Sequence, residues 1–341
     1  MTADFFFIAE VGPNHNGDVG IAKEMIFEAA AAGANAVKFQ TYSDSSTVVS
    51  HDAPLADYMK IGSTVSNQAA LLDKIRLTAK DFEALALTCE DARIEFMSTP
   101  FDPESVDVLL NLGVKRIKVP SGEVTNSYLL DAVARADLPI IMSTGMSTFE
   151  EIDNALKFFN FFENTDRERV ALLHCTSSYP TPIDAAHLNC IPAMLERYEC
   201  PVGFSDHTIG FVAPIAAIAL GASVIEKHVT FDVNAAGPDH KASLELSELP
   251  ALIKMLRDVC SSKGSAEKAL RPEELDVTNV ARRSLAVARK LSKGHLLTTN
   301  DLTALRPAGG INPMERNSLV GKRLARDYEK GELLRLVDLN D

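Results

Sequence analysis

The sequence predicts an α/β protein: a (β/α)8 TIM barrel followed by a small, β-rich C-terminal domain. Three observations predict it. Eight short apolar segments recur between residues 5 and 229, with helical segments between them. Each is too continuously apolar to be half-solvated, which is how parallel strands buried on both faces read. After Ser261 the alternation stops, and one pattern then occurs twice in register.

The strands are expected, in order, at "FFFIAEVG" (from 5), "NAVKFQTY" (35–42), "IEFMSTP" (94–100), "RIKVP" (116–120), "PIIMSTG" (139–145), "VALLHC" (170–175), "PVGFSDH" (201–207) and "SVIEKHV" (223–229). Helices between them include "DVGIAKEMIFEAAAAGA" and "APIAAIALGA", and several end in Gly or Asn as C-caps do. A doubly wound open sheet is the alternative, but the first turn, "EVGPNHNGD", lacks GxGxxG. Residues 43–78 are too long for a plain strand-to-helix connection and are expected to hang over the barrel mouth. These features give a catalytic barrel over 1–261, a polar linker over 262–281 and a small domain over 282–341. In the last, "ARKLSKGHLLTTNDL" (288–302) matches "ARDYEKGELLRLVDL" (325–339). Two copies suggest two-fold pseudosymmetry and are too few for a solenoid.

At 341 residues and 46% hydrophobic content the chain can bury a real core. A net charge of −13 argues against a nucleic-acid partner. No run approaches a membrane span, and the start reads as a first strand without a basic leader. Five scattered cysteines form no disulfide framework, so a cytoplasmic location is expected.

In such a barrel the C-terminal strand ends converge on one mouth. They supply Glu10; Lys38 and Gln40; Ser98 and Thr99; Lys118, Ser121 and Glu123; Ser143 and Thr144; His174, Thr176 and Tyr179; Ser205, Asp206 and His207; and Glu226, Lys227 and His228. His207 and His228 end neighbouring strands. Each alone reads as a structural histidine, but the pair can share a metal with open positions, among Mn, Fe, Co and Zn. Cys175 reads either as a further ligand or as a buried thiol. Lys38 and Lys118 interrupt apolar strands and need anionic company. That company is either Glu10 or Glu123, or a bound carboxylate and phosphate ringed by the hydroxyls of Thr99, Ser121, Ser143 and Ser205. A Schiff-base lysine is a third reading, which a metal would make redundant. Asp239, in "GPDHKASLE", is either a loop residue in solvent or a substrate contact.

Taken together, these motifs resemble the N-acetylneuraminate (sialic acid) synthases and their legionaminic and pseudaminic acid relatives. The carrying segments are "IAEVGPNHNGD", "AVKFQTY", "FMSTPFD", "KVPSGE", "IIMSTGM", "LLHCTSSYPTP", "GFSDHT", "IEKHVT" and "GPDHKASLE". The C-terminal repeat, with "LRPAGGI" and "VGKRLARD", is similar to that family's antifreeze-like (SAF-type) domain. The resemblance implies a transferase that condenses phosphoenolpyruvate with an N-acetylated amino sugar, N-acetylmannosamine or a 2,4-diacetamido-6-deoxy relative. The products are a nonulosonic acid and phosphate.

It also implies a divalent metal on His207 and His228, usually Mn, with Mg or Co as alternatives. Phosphoenolpyruvate is then held by Lys38, Lys118, Thr99, Ser121, Ser143 and Ser205. Gln40, Glu123, Tyr179 and Asp239 face the sugar. Glu10 is the first candidate to handle the attacking water, with Glu123 its rival. Arg306 reaches the N-acetyl group from the partner chain of a domain-swapped homodimer. Two departures stand out: "RPAGG" replaces the usual RPGxG, and Ser177 stands where some members carry Asn. The competing readings are another phosphoenolpyruvate-dependent 2-keto sugar acid synthase or aldolase on a barrel, and a non-catalytic carbohydrate-binding protein.

Overall fold

The computed structural model describes residues 5–60, 65–163 and 167–340. Residues 1–4 and 341, which the expected domain limits include, and 61–64 of the long connection lie outside the described residues. The chain forms two units, Met1–Gly264 and Ser265–Asp341.

The first unit is the barrel. Its strands are β1 (Phe6–Glu10), β2 (Ala36–Thr41), β3 (Glu95–Pro100), β4 (Ile117–Val119), β5 (Ile140–Ser143), β6 (Val170–His174), β7 (Val202–Asp206) and β8 (Val224–Thr230). All ladders between them are parallel, in the order β3-β2-β1-β8-β7-β6-β5-β4, and β3 lies alongside β4 so that the ring is nearly closed. A two-residue strand, β9 (Leu244–Glu245), pairs with the end of β8. Helices cover the outside. The first, α1 (Val19–Ala32), starts where Asp18 accepts from the amides of Gly20 and Ile21. It ends at Gly33, whose φ of 89° is open to glycine without strain.

The long connection after β2 is not a bare loop. It contains α2 (Ser45–Val48) and α3 (Gln68–Ile75), ahead of the barrel helix α4 (Ala79–Ala92).

Two apolar layers set the position of the site. One lies between strands and helices. The other fills the barrel interior with Ile8, Ala36, Met97, Ile141, Leu173 and Val224, among others. Side chains alternate along a strand, so the residue two positions further on also points inward. Those residues are Glu10, Lys38, Thr99, Ser143, Cys175 and Glu226. The barrel is thus an apolar plug below and a polar floor above.

In the second unit β10 (Ser284–Val287) pairs antiparallel with β11 (Leu302–Leu305), and β12 (Arg323–Leu324) with β13 (Leu339–Asn340). The expected pseudosymmetry is visible in the backbone. Leu291 and Tyr328, equivalent positions of the two copies, exchange both hydrogen bonds, N to O at 3.0 and 2.9 Å. Each copy also ties an arginine to an aspartate twelve residues on: Arg289 to Asp301, and Arg326 to Asp338. The polar stretch 262–281 contains the end of a helix, Leu249–Lys263, and a short helix, Leu275–Ala281. Among the described residues no helix is long and apolar enough to cross a membrane.

Candidate active site

A cavity of about 560 Å³ opens at the C-terminal ends of the barrel strands. Its floor is polar and its outer wall is apolar. The wall comes from the segment after β2, with Val48, Val49, Met59, Leu71 and Ile75.

The floor is built around two lysines. Lys38 Nζ lies 2.6 Å from Glu10 Oε2, 3.7 Å from Glu226 Oε2 and 3.0 Å from Thr99 Oγ1. Lys118 Nζ lies 2.6 Å from Ser143 Oγ and 3.6 Å from Glu226 Oε1. Ser205 donates to the same Glu226 oxygen at 2.9 Å. All four charged groups are buried, so the ion-pair company expected for Lys38 includes Glu10 and, beyond the expectation, Glu226.

The two carboxylates differ. Burial pushes Glu10 up to about 7, against the pull of Lys38, and the neighbouring Glu226 adds to the rise. Burial also opposes charge on Glu226, but Lys118 and Lys38 outweigh it and hold Glu226 at about 2. Burial works against the charge of Lys38, yet Glu10 and Glu226 raise its pKa. Lys118 is lowered by burial, with Glu226 opposing. Lys38 is therefore an ammonium suited to holding an anion, not a free amine suited to imine formation.

The imidazoles stand at the ends of β7 and β8, with His228 in register with Glu10 and two residues beyond Glu226. His207 and His228 have ring centroids 5.5 Å apart, and Tyr179 packs on His207 at 4.2 Å. His207 Nδ1 is 2.8 Å from the Thr176 carbonyl, which can only accept. Nδ1 therefore carries the hydrogen, and Nε2 keeps its lone pair. Among the described residues, buried His228 Nδ1 has no hydrogen-bond partner and lies 3.3 Å from Asp239 Oδ2. Burial lowers both histidines, which keeps them neutral. It also pushes Asp239 up to about 7.

Among the described residues no three His, Cys, Asp or Glu side chains gather as a complete metal cage. Two neutral imidazoles, one with an orphaned buried nitrogen, fit an ion whose other positions go to substrate or water. Cys175 does not join them. Its thiol is buried beside Ser121, Sγ to Oγ 3.1 Å.

Of the residues expected at the mouth, Glu10, Lys38, Gln40, Thr99, Lys118 and Ser121 line the cavity. So do Ser143, Tyr179, Ser205, His207, His228 and Asp239. Glu123 is not in the wall; its carboxylate accepts from Asn126 Nδ2 at 2.6 Å. Arg306 belongs to the second unit, where its Nε donates to the Ala281 carbonyl.

Besides Glu123, six strand-end residues read as facing the mouth do not: Thr144 donates to the Leu173 carbonyl and Thr176 to the Ala185 carbonyl, and four others turn away as well. Ser98 bonds Thr41, and His174 stacks on Phe204 and meets the Ala186 carbonyl. Lys227 and Asp206 form a buried pair at 2.5 Å behind the strands. Each is one residue out of phase with the inward set, so the pleat turns it outward. Glu226, supplied by the same strand end but given no role, is the floor's central anion. Its place two residues from His228 on β8 is the signal that finds it.

Known proteins place the chain in a family. The model of the NeuB family matches residues 25–268, and the SAF domain matches 282–340. An N,N'-diacetyllegionaminic acid synthase of Legionella pneumophila is 40% identical over 331 residues, 96% of this chain and 93% of that protein. A pseudaminic acid synthase of Campylobacter jejuni is 31% identical over 335 residues, covering 98% and 96%. The crystal structure of the N-acetylneuraminic acid (sialic acid) synthetase from Leptospira borgpetersenii superposes with a TM-score of 0.71 at 33% identity. It covers 80% of this chain and 90% of that one. On a matching family model over most of the barrel and relatives of this identity along nearly its whole length, the chain belongs to the NeuB family.

Proposed function

We propose that the protein is a nonulosonic acid synthase, which condenses phosphoenolpyruvate with an N-acetylated amino sugar and releases phosphate. The observation that carries the reading is the pair of buried lysines, ringed by hydroxyls, on the floor of a cavity that two neutral imidazoles also line. The lysines suit an anion, and the imidazoles suit a metal that would meet an aldehyde. The apolar outer wall and the 40% identity to a diacetyllegionaminic acid synthase favour a 2,4-diacetamido-6-deoxy acceptor over N-acetylmannosamine.

In this reading Lys38 and Lys118 hold the carboxylate and phosphate, with Thr99, Ser121, Ser143 and Ser205 donating around them. Fixing both charged ends presents C3 of the enol to the aldehyde carbon, where the new C–C bond forms. Gln40, Tyr179 and Asp239 face the sugar. The former aldehyde oxygen takes up a proton, water adds at C2 with loss of one proton, and the C2–O bond to phosphate breaks as the C2 hydroxyl gives up its other proton, leaving the 2-keto acid and phosphate. Glu10, near neutral in its pKa and beside the anion site, takes the water's proton. Glu123, outside the cavity wall, has no such position. A divalent ion on His207 and His228, Mn by the resemblance, supplies Lewis-acid polarisation of the aldehyde when bound.

The proposal includes a homodimer in which Arg306 is supplied by the second copy, and a cytoplasmic location. The dimer's support is the "RPAGG" motif behind a polar stretch, and the location's is five cysteines that form no disulfide framework. Mixing Arg306→Ala and His207→Ala chains should restore partial activity if the arginine acts in trans.

The direct test is phosphate release from phosphoenolpyruvate with a panel of amino sugars and added Mn. The diacetamido sugar should give the highest kcat/KM. No release with any acceptor would overturn the reading.

A further inference from the structure

Of the first turn, "PNHNG", Pro13 lines the cavity, while Asn14 to Gly17 lie outside its wall and have no part in the chemistry above. Its side chains are nonetheless tied to the loop that carries Asp239.

Asn14 is buried, with 3% of its surface exposed. Both hydrogens of its amide are used. Nδ2 lies 2.8 Å from the Val229 carbonyl, at the end of β8, and 2.8 Å from Ser243 Oγ. The carbonyl can only accept, which fixes the amide's orientation. With Asn14 donating to it, the Ser243 hydroxyl sends its own hydrogen to the Asp239 carbonyl at 2.7 Å.

A second tie grips the next residue. Asn16 Nδ2 lies 3.3 Å from His240 Nε2, which must accept. His240 Nδ1 then donates to Thr230 Oγ1 at 2.8 Å, and Thr230 donates to the Asp232 carbonyl at 3.2 Å. Gly237 crosses over this second tie. A Cβ there would stand 2.6 Å from the His240 ring and 3.0 Å from Asn16, so only glycine passes. The arrangement is available because β1 and β8 are neighbours in the ring, which brings residues 14 and 243 together.

We propose that Asn14 is a positioning residue for Asp239. Through Ser243 it holds the backbone of the 237–243 turn against the end of β8, with the Asn16–His240 tie as second anchor. Asp239 is thereby kept over the cavity beside His228. The inference rests on the reading of Asp239 as an acceptor contact. A loop held by two side-chain ties has few other ways to keep a carboxylate within bonding distance of a substrate, and small displacements at such sites cost large factors in rate.

The experiment uses the full chain and the variants Asn14→Ala and Ser243→Ala, each alone and combined with Asp239→Ala. Ser243→Ala removes the bond from Asn14 and the bond to the Asp239 carbonyl but leaves the Asn14–Val229 bond, so it carries the test if Asn14→Ala does not fold. Two quantities are read: amide hydrogen exchange of residues 237–243, and kcat/KM for the amino sugar. Exchange in that segment should rise at least roughly tenfold over its protection in the parent. The kcat/KM for the sugar should fall about tenfold or more, with the KM for phosphoenolpyruvate unchanged. In the Asp239→Ala background the same changes should lower kcat/KM no further.

Unchanged exchange in both variants overturns the proposal. So does an equal loss of kcat/KM with and without Asp239, because Asn14 then acts by another route. If Asp239→Ala alone matches the parent, the reading of Asp239 fails and the proposal with it. That outcome is recognised because the exchange still responds.

Discussion

Lys38 Nζ and Glu10 Oε2 meet at 2.6 Å in a pocket floor where both side chains are buried. A buried pair of this kind adds little stability over well-packed apolar residues, and breaking it by removing one partner is costly. In the proposed reading it is a charge kept ready for an anionic ligand. Replacing Lys38 with Met should lower kcat/KM for phosphoenolpyruvate by about two orders of magnitude, the value of one charge-assisted contact of roughly 2–3 kcal/mol. Steady-state kinetics with the sugar saturating reads this. Unchanged kinetics would return Lys38 to a structural ion pair.

Glu10 gives the pH dependence. Its carboxyl is pushed up to about 7 by burial, with Lys38 opposing. A base accepts a proton only when deprotonated, so kcat/KM should fall as pH drops below about 7. Glu10→Gln should remove that acid limb and lower kcat by about 10²- to 10⁴-fold, the range of general-base catalysis. A pH–rate profile of the variant that keeps the limb would assign it to another group.

The imidazole pair is testable without turnover. His207→Ala and His228→Ala should each abolish Mn binding in a calorimetric titration of the metal-free protein. The fold should persist, because neither ring belongs to the apolar layers of the barrel. Mn binding equal to the parent's in both variants, or full activity after exhaustive chelation, would exclude the pair.

Most of the barrel was legible because its strands are buried on both faces and so read as apolar runs. The polar floor was legible for the converse reason: Lys38 and Lys118 interrupt those runs. What the sequence hid is a matter of phase. In "IEKHV" three polar residues stand in a row, and composition cannot say which point inward. The pleat decides, because Val224 lies in the interior plug; Glu226 and His228 follow it in and Lys227 turns out to meet Asp206. His174 and Ser98 were misread for the same reason. The contact of Asn14 with Ser243 spans 229 positions and exists only because β1 closes against β8. No local pattern announces it.

The repeat in the C-terminal unit yields the last prediction. Asp301 and Asp338 are equivalent positions, but their surroundings differ. Asp301 has a side chain 1% exposed and accepts from Arg289, His295 and Thr298. Asp338 is 19% exposed and accepts from Arg326 and Tyr328. Burial opposes the charge of Asp301, but the bonds from His295 and Thr298 outweigh it and hold its pKa far below the usual carboxylate range. A carboxylate depressed in the folded state contributes stability that is fully present above its unfolded pKa, about 3.9. That contribution is lost as pH falls through the folded value. Asp301→Asn should therefore cost about 2 kcal/mol near neutral pH, the value of hydrogen bonds to a buried charge. The cost should shrink as pH falls below about 4, where the parent begins to lose the same contribution. Asp338→Asn should cost less, because water already screens that site. Amide exchange of β10, measured from pH 7 down to pH 3 and corrected for intrinsic rates, reports the local stability. If Asp301→Asn and the parent differ by the same amount at every pH, the charge of Asp301 contributes nothing and the bonds act through geometry alone.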